Sequence, residues 1–191
     1  MTPTFSSAFL LLIALAPLAG AVITGLFGTG FFGRSVSRKG AHSLTILLVA
    51  ISFLGSLYAL YEVAVNGAYY DQAIYTWTLV GTKVFEVGFL IDPLTALMMV
   101  VVTSVSLMVH IYTIGYMVDD PGYQRFFSYI SLFTFSMLML VMSNNMLQLF
   151  FGWEAVGLVS YLLIGFWFTR DTAIFANMKA FIMNRVGDFG F

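Results

Sequence analysis

Six stretches of about twenty mainly apolar residues follow one another along this chain, each long enough for a helix to cross a bilayer core of roughly 30 Å. They cover residues 5–27, 43–65, 93–117, 123–142 and 146–168, and a sixth begins near Thr172 and still runs at Phe191. In lipid every backbone N–H and C=O must find a partner, so such runs are expected to be helices. Composition leaves little alternative: 60% of the residues are apolar and only 9% are charged, against about 25% charged in a soluble domain. A soluble enzyme is excluded. The expected fold is an all-α polytopic membrane protein of five complete transmembrane helices plus a truncated sixth, one transmembrane domain over residues 1–191.

The first run competes with a cleavable signal peptide. No basic residue precedes it and no polar mature domain follows, which favours a retained helix. At the other end, Gly187, Asp188 and Gly190 fall where the sixth helix would be near mid-membrane. A helix stopping there would leave its last carbonyls unsatisfied in lipid, so we expect an N-terminal fragment of a longer protein.

Basic residues set the expected orientation. Arg34, Arg38 and Lys39 lie between helices one and two, Arg125 flanks the third connection and Arg170 the fifth; the opposite side holds only Lys83. The N-terminus is therefore expected on the periplasmic side of a bacterial inner membrane, or its equivalent in a mitochondrial inner membrane. The one long connection, residues 66–91, is then outside. Tyr75, Trp77 and Leu79 alternate with Thr76 and Thr78, Gly81-Thr82 offers a turn, and residues 84–89 read as a return strand, predicting a short β-hairpin. Asp92-Pro93 is expected to cap and open the next helix.

Several chemistries are excluded. The net charge of −1 provides no basic footprint for nucleic acid. There is no cysteine, which excludes disulfides, iron–sulfur ligation and thiolate zinc sites. The sequence has no Gly-rich phosphate loop, no metal-ligand spacing and no nucleophile–histidine pair. No cofactor or metal is expected in this chain, and any redox reaction must occur elsewhere.

Ionisable groups at membrane depth are costly and mark ion or proton pathways. Glu154 stands eight residues after Met146 and fourteen before Phe168, roughly 12 Å below the outer end of its helix. It is either a carboxyl that cycles between protonated and ionised forms, or a permanently neutral or paired one that glues helices together. Folding the sixth helix back on the fifth brings Val186 to the same depth, and Arg185 and Asp188 flank that point on one face. Glu154, Arg185 and Asp188 are thus expected to meet at one level. Lys179, on another face and nearer the inner end, either relays protons or snorkels to the surface. His110, near the inner end of helix three, is either a core histidine or a proton relay. His42, beside Arg38 and Lys39, is expected in a loop against lipid headgroups. The eleven methionines and many phenylalanines are read as core and lipid-facing filler.

The run Gly152-Trp153-Glu154-Ala155-Val156-Gly157-Leu158-Val159-Ser160-Tyr161-Leu162-Leu163-Ile164-Gly165-Phe166-Trp167 resembles the fifth helix of the subunit L family of NADH–quinone oxidoreductase, respiratory complex I, called ND5 in mitochondria. Met178-Lys179-Ala180-Phe181 with Asn184-Arg185-Val186-Gly187-Asp188 resembles its sixth helix, and Phe89-Leu90-Ile91-Asp92-Pro93-Leu94, His110-Ile111-Tyr112, Gly115-Tyr116-Met117 and Tyr123-Gln124-Arg125-Phe126-Phe127 extend the likeness. The first 88 residues match more loosely, mainly at Arg38-Lys39-Gly40-Ala41-His42.

This resemblance implies the first part of an antiporter-like fold and a proton-translocating membrane-arm subunit, a translocase driven by quinone reduction elsewhere in the complex. NADH, FMN, iron–sulfur clusters and quinone are expected in partner subunits, among them other membrane-arm subunits and a neighbouring antiporter-like one; no nucleic acid is expected. The resemblance assigns proton transfer to Glu154, Lys179, Arg185 and Asp188, with His110 a further candidate. The family pairs the glutamate with a lysine on a later helix, for which this sequence has no counterpart. Thr113 stands where many relatives have serine, which retains a hydroxyl. The rivals are the large subunit of a multisubunit Na+/H+ antiporter and a non-transporting membrane scaffold.

Overall fold

A computed structural model describes residues 5–29, 35–81 and 83–190. Arg34, Thr82 and Phe191, each used in the sequence expectations, lie outside the described residues. The order is α1 (Ser7–Gly28), α2 (Arg38–Asn66), β1 (Tyr70–Val80), β2 (Lys83–Ile91), α3 (Pro93–Tyr116), α4 (Tyr123–Val141), α5 (Met146–Ile164) and α6 (Asp171–Gly190). Helices α1 to α5 are each long and apolar enough to cross a membrane. With α6 they match the expected five helices and a sixth, making this a multi-pass membrane chain.

Two expected boundaries shift, for local reasons. Helix α2 begins at Arg38 instead of residue 43, because the Ser37 hydroxyl accepts a hydrogen bond from Gly40 N at 3.1 Å and caps the turn. At 29 residues it is about 43 Å long, more than a roughly 30 Å core requires. Its first turns therefore extend to the membrane surface, and Arg38, Lys39 and His42 are helical and not in a loop. Helix α5 ends at Ile164 instead of residue 168, at the cap Gly165.

The two strands pair antiparallel, Tyr70 opposite Ile91 and Val80 opposite Lys83, with irregularities between Ala73 and Tyr75 and between Thr76 and Thr78. The expected hairpin is present and longer than its alternation suggested. Gly81 turns it with φ of +62°, a left-handed conformation that favours glycine. Its base is sewn to the α4–α5 junction. Leu90 N donates to Met142 O at 2.9 Å, Gly88 N to Gln148 Oε1 at 2.9 Å, and Asn145 Nδ2 to Glu86 O at 3.0 Å. Phe89 and Ile91 are buried with Leu10, Ile13, Met99, Leu138 and Met142 in one apolar core.

Helix α1 lies against α2 and α4, α2 against α3, and α4 against α3 and α5, while α6 packs chiefly on α5. Pro17 lies within α1 and has no N–H for the carbonyl of Ile13, four residues back. The Ser52 hydroxyl of α2 donates to that carbonyl at 2.7 Å. Ser128 of α4 similarly donates to Ala21 O at 2.7 Å. Helices α4 and α5 meet at Gly152, where an added Cβ would stand 2.7 Å from the Cα of Leu140.

One end of the bundle gathers basic side chains. Arg38 donates to the carbonyls of Val118 and Asp120. Arg125 donates to Phe166 O at 3.2 Å and stacks on the Phe166 ring. Arg170 covers Trp167, whose Nε1 donates to Asp120 Oδ2 at 2.9 Å. The three arginines thus share one end, here called the basic end.

Candidate functional site: an ionic cluster between α5 and α6

Helix α5 presents Glu154 and Trp153, and α6 presents Arg185 and Asp188, one turn apart on the same face. Arg185 Nη1 pairs with Glu154 Oε2, and its Nη2 lies 3.3 Å from Asp188 Oδ2. One guanidinium therefore bridges two carboxylates. The planar fork of arginine suits that role, and the i, i+3 spacing holds Asp188 alongside. Gly157, a turn after Glu154, makes the room: an added Cβ there would meet Arg185 Nη2 at 3.3 Å. Arg185 also lies over the Phe181 ring, which packs on Tyr161.

Trp153 completes the cluster. Its Nε1–H donates to Asp188 Oδ1 at 2.8 Å, so each oxygen of Asp188 faces a different donor. Asp188 is the more enclosed carboxylate, its side chain 10% exposed against 22% for Glu154. Two carboxylates and one guanidinium leave the group with one more acidic than basic side chain. Glu154 is paired with Arg185 and is the more exposed of the two carboxylates.

Other candidate residues stand apart. Lys179 is exposed on α6, six residues before Arg185 and away from the cluster. His110 is fully buried between α3 and α4, where Ser106 and Ser131 hold its two ring nitrogens. His42 is half-buried, and its Nδ1 shares a 2.9 Å hydrogen bond with the Tyr123 hydroxyl. The headgroup contact expected of it gives way to packing against α4. Among the described residues, no three His, Asp or Glu side chains converge as a metal site requires.

Trp153 was missed by sequence reasoning, which gave it no role of its own; a tryptophan adjacent to a membrane glutamate was the available signal. Also missed were the hydroxyls around His110. Ser106 and His110 are four apart on α3, and Ser131 and Thr134 are three apart on α4, so each pair shares a helical face.

Comparisons with known proteins agree with this architecture. Residues 77–127 match the family described as NADH-Ubiquinone oxidoreductase (complex I), chain 5 N-terminus. Residues 143–191 match the family described as NADH:quinone oxidoreductase/Mrp antiporter, TM. The chain is 66% identical over 184 residues to an NADH-quinone oxidoreductase subunit L of Neisseria meningitidis, which covers 95% of this chain and 26% of that protein. It is 49% identical over 182 residues to the NADH-ubiquinone oxidoreductase chain 5 of Marchantia polymorpha, covering 94% of this chain and again 26% of the relative. The chain thus spans about a quarter of the length of these curated relatives. A chain in the structure of the membrane-bound sulfane sulfur reductase, an archaeal respiratory membrane complex, shares the fold with a TM-score of 0.78 at 18% identity, over 96% of this chain and 35% of that one. Over the stretch it spans, the chain matches both of these family models and is similar to the subunit L/chain 5 proteins of NADH–quinone oxidoreductase.

Proposed function

We propose that this chain is part of a proton-translocating membrane-arm subunit of an NADH–quinone oxidoreductase, with Glu154 as the group that gains and loses the proton. The observation that carries the proposal is one arginine shared by two carboxylates at membrane depth. With Glu154 ionised, Arg185 spans both carboxylates. With Glu154 neutral, Asp188 keeps Arg185 paired, so no lone cation is left in lipid. Each state is thereby stabilised, and the proton is exchanged at a low cost in pairing. Trp153 keeps Asp188 in place throughout. On the same reading Lys179 passes protons between the cluster and the basic end, and His110 serves a separate inner route.

The complex as a whole is the enzyme. NADH, FMN, iron–sulfur clusters and quinone belong to its other subunits, and this chain contributes translocation without redox chemistry. Its partners are the other membrane-arm subunits, including a neighbouring antiporter-like one. It resides in a bacterial inner membrane or the mitochondrial equivalent, with the basic end inside and the N-terminus on the periplasmic side.

Glu154→Gln tests this reading. The amide preserves shape and removes titration, so the assembled complex should oxidise NADH while moving fewer protons per electron. An unchanged ratio would make Glu154 structural.

A further inference from the structure

Away from the ionic cluster, α3 and α4 enclose a second polar assembly. His110 Nδ1 lies 2.8 Å from the carbonyl oxygen of Ser106. A carbonyl only accepts, so Nδ1 carries the hydrogen and donates. In the neutral ring Nε2 is then the acceptor, and the Ser131 hydroxyl donates to it at 2.9 Å. Ser106 Oγ is 3.4 Å from His110 Nδ1 and 2.5 Å from Thr134 Oγ1, which donates onward to Ile130 O at 2.9 Å. His110, Ser131 and Thr134 are buried, and Ser106 is half-buried. At 1.5 Å per residue, His110 lies about 9 Å and Thr134 about 16 Å from the basic end of their helices.

Towards that end stand His42 and Tyr123, joined by their 2.9 Å hydrogen bond and covered by Arg38 over the Tyr123 ring. A single phenyl ring neighbours both histidines. Phe127 is fully buried, with its centroid 6.2 Å from His42, 6.0 Å from His110 and 4.9 Å from Tyr123. Plain core filling would not require two histidines and a tyrosine around one aromatic ring. His110 has instead been withdrawn from water at a cost that its hydrogen bonds only offset, and His42 is half-buried.

We propose that Phe127 is the hydrophobic gate of a proton path from the basic end, with His42 and Tyr123 as its mouth and Ser131, His110, Ser106 and Thr134 as its inner relay. When the ring swings aside, a proton reaching Ser131 Oγ displaces that hydroxyl's own proton to His110 Nε2. The imidazolium releases its Nδ1 proton to Ser106 Oγ, and Ser106 passes one to Thr134 Oγ1. Ser131, His110 and Ser106 each gain one proton and give one up, Thr134 passes its own to a water molecule beyond it, and His110 carries its hydrogen on Nε2 until the ring reorients, so no net charge remains and water is the one co-reactant. With the ring in place the file is broken by an apolar plug. The inference rests on the proton-translocating function proposed above and adds a route and a gate to it.

The test uses the assembled oxidoreductase with its full-length subunit in sealed membrane vesicles, with the proton as probe and a pH-sensitive dye as readout. Decay of an imposed pH gradient without NADH reads the path alone; protons moved per electron with NADH reads coupling. Phe127→Ala should speed gradient decay several-fold, Phe127→Leu should stay close to the parent, and adding Ser131→Ala to Phe127→Ala should abolish the leak. Parental decay in assembled Phe127→Ala, or a leak that survives Ser131→Ala, overturns the gate. Should Phe127→Ala not assemble, Ser131→Ala alone decides. It should lower protons per electron, whereas Ser136→Ala on the same helix, whose hydroxyl bonds Leu132 O, should not; equal effects overturn the relay. If Glu154→Gln loses pumping while Phe127→Ala does not leak, the proposed function stands and the gate falls. A leak in Phe127→Ala with pumping intact in Glu154→Gln removes the role of Glu154 and retains the path.

Discussion

Trp153 Nε1 donates to Asp188 Oδ1 at 2.8 Å, and this bond distinguishes Asp188 from Glu154, the other carboxylate on Arg185. Asp188 is held by an indole on one oxygen and by Arg185 on the other. Glu154 has the same arginine for its pairing and greater exposure. The two carboxylates thus differ in their partners, although they share one arginine.

Asp188 therefore keeps Arg185 available. Asp188→Asn should bind Arg185 to Glu154 alone, keep Glu154 ionised and impair pumping. Asp188→Glu should preserve most of it. Trp153→Phe removes a hydrogen bond to a charged group, a contact of about 1.5–3 kcal/mol. Its proton-per-electron ratio should fall between those of the parent and Asp188→Asn. A ratio in Asp188→Asn equal to the parent's would remove Asp188 from the cycle.

Arg185→Lys keeps the charge and loses the fork. A single ammonium cannot span two carboxylates as a planar guanidinium does. Most pumping should be lost while the subunit still assembles, and vesicle proton uptake at fixed NADH oxidation checks this. Full uptake in the lysine variant would show that charge alone suffices.

Ser52→Ala makes a separate, structural prediction. It leaves the Ile13 carbonyl, freed by Pro17, without its partner. The cost should be about 1–3 kcal/mol, that of a buried group left unpaired. Thermal unfolding of the detergent-solubilised complex should show this subunit released earlier, with protons per electron unchanged.

Topology is testable directly because the chain has no cysteine. Ser37→Cys lies at the basic end and Thr76→Cys on the hairpin, both exposed. An impermeant thiol reagent should label Thr76→Cys from the periplasmic side and Ser37→Cys from the other. Labelling of both from one side would reject the orientation.

Much of this arrangement was legible in the sequence because lipid imposes simple rules. Apolar run length located the helices, and a shared depth on neighbouring helices brought Glu154 to Arg185. Cap chemistry identified Asp92, whose Oδ1 accepts from Thr95 N at 2.7 Å. Three features escaped. The start of α2 depended on Ser37, a polar cap outside any apolar run. His42 turned inward because Tyr123, 81 residues away, offered a partner. Trp153 is given no role and Phe127 is read as filler because an aromatic ring's role depends on what surrounds it, which spacing along one helix does not reveal.

The central claim is that Glu154 changes protonation during turnover. Infrared difference spectroscopy of the assembled complex, resting minus turning over, reads this as the C=O stretch of a protonated carboxyl. The parent should show such a band, Glu154→Gln should lack it, and Asp188→Glu should retain it. An identical difference spectrum in the parent and in Glu154→Gln would contradict the assignment.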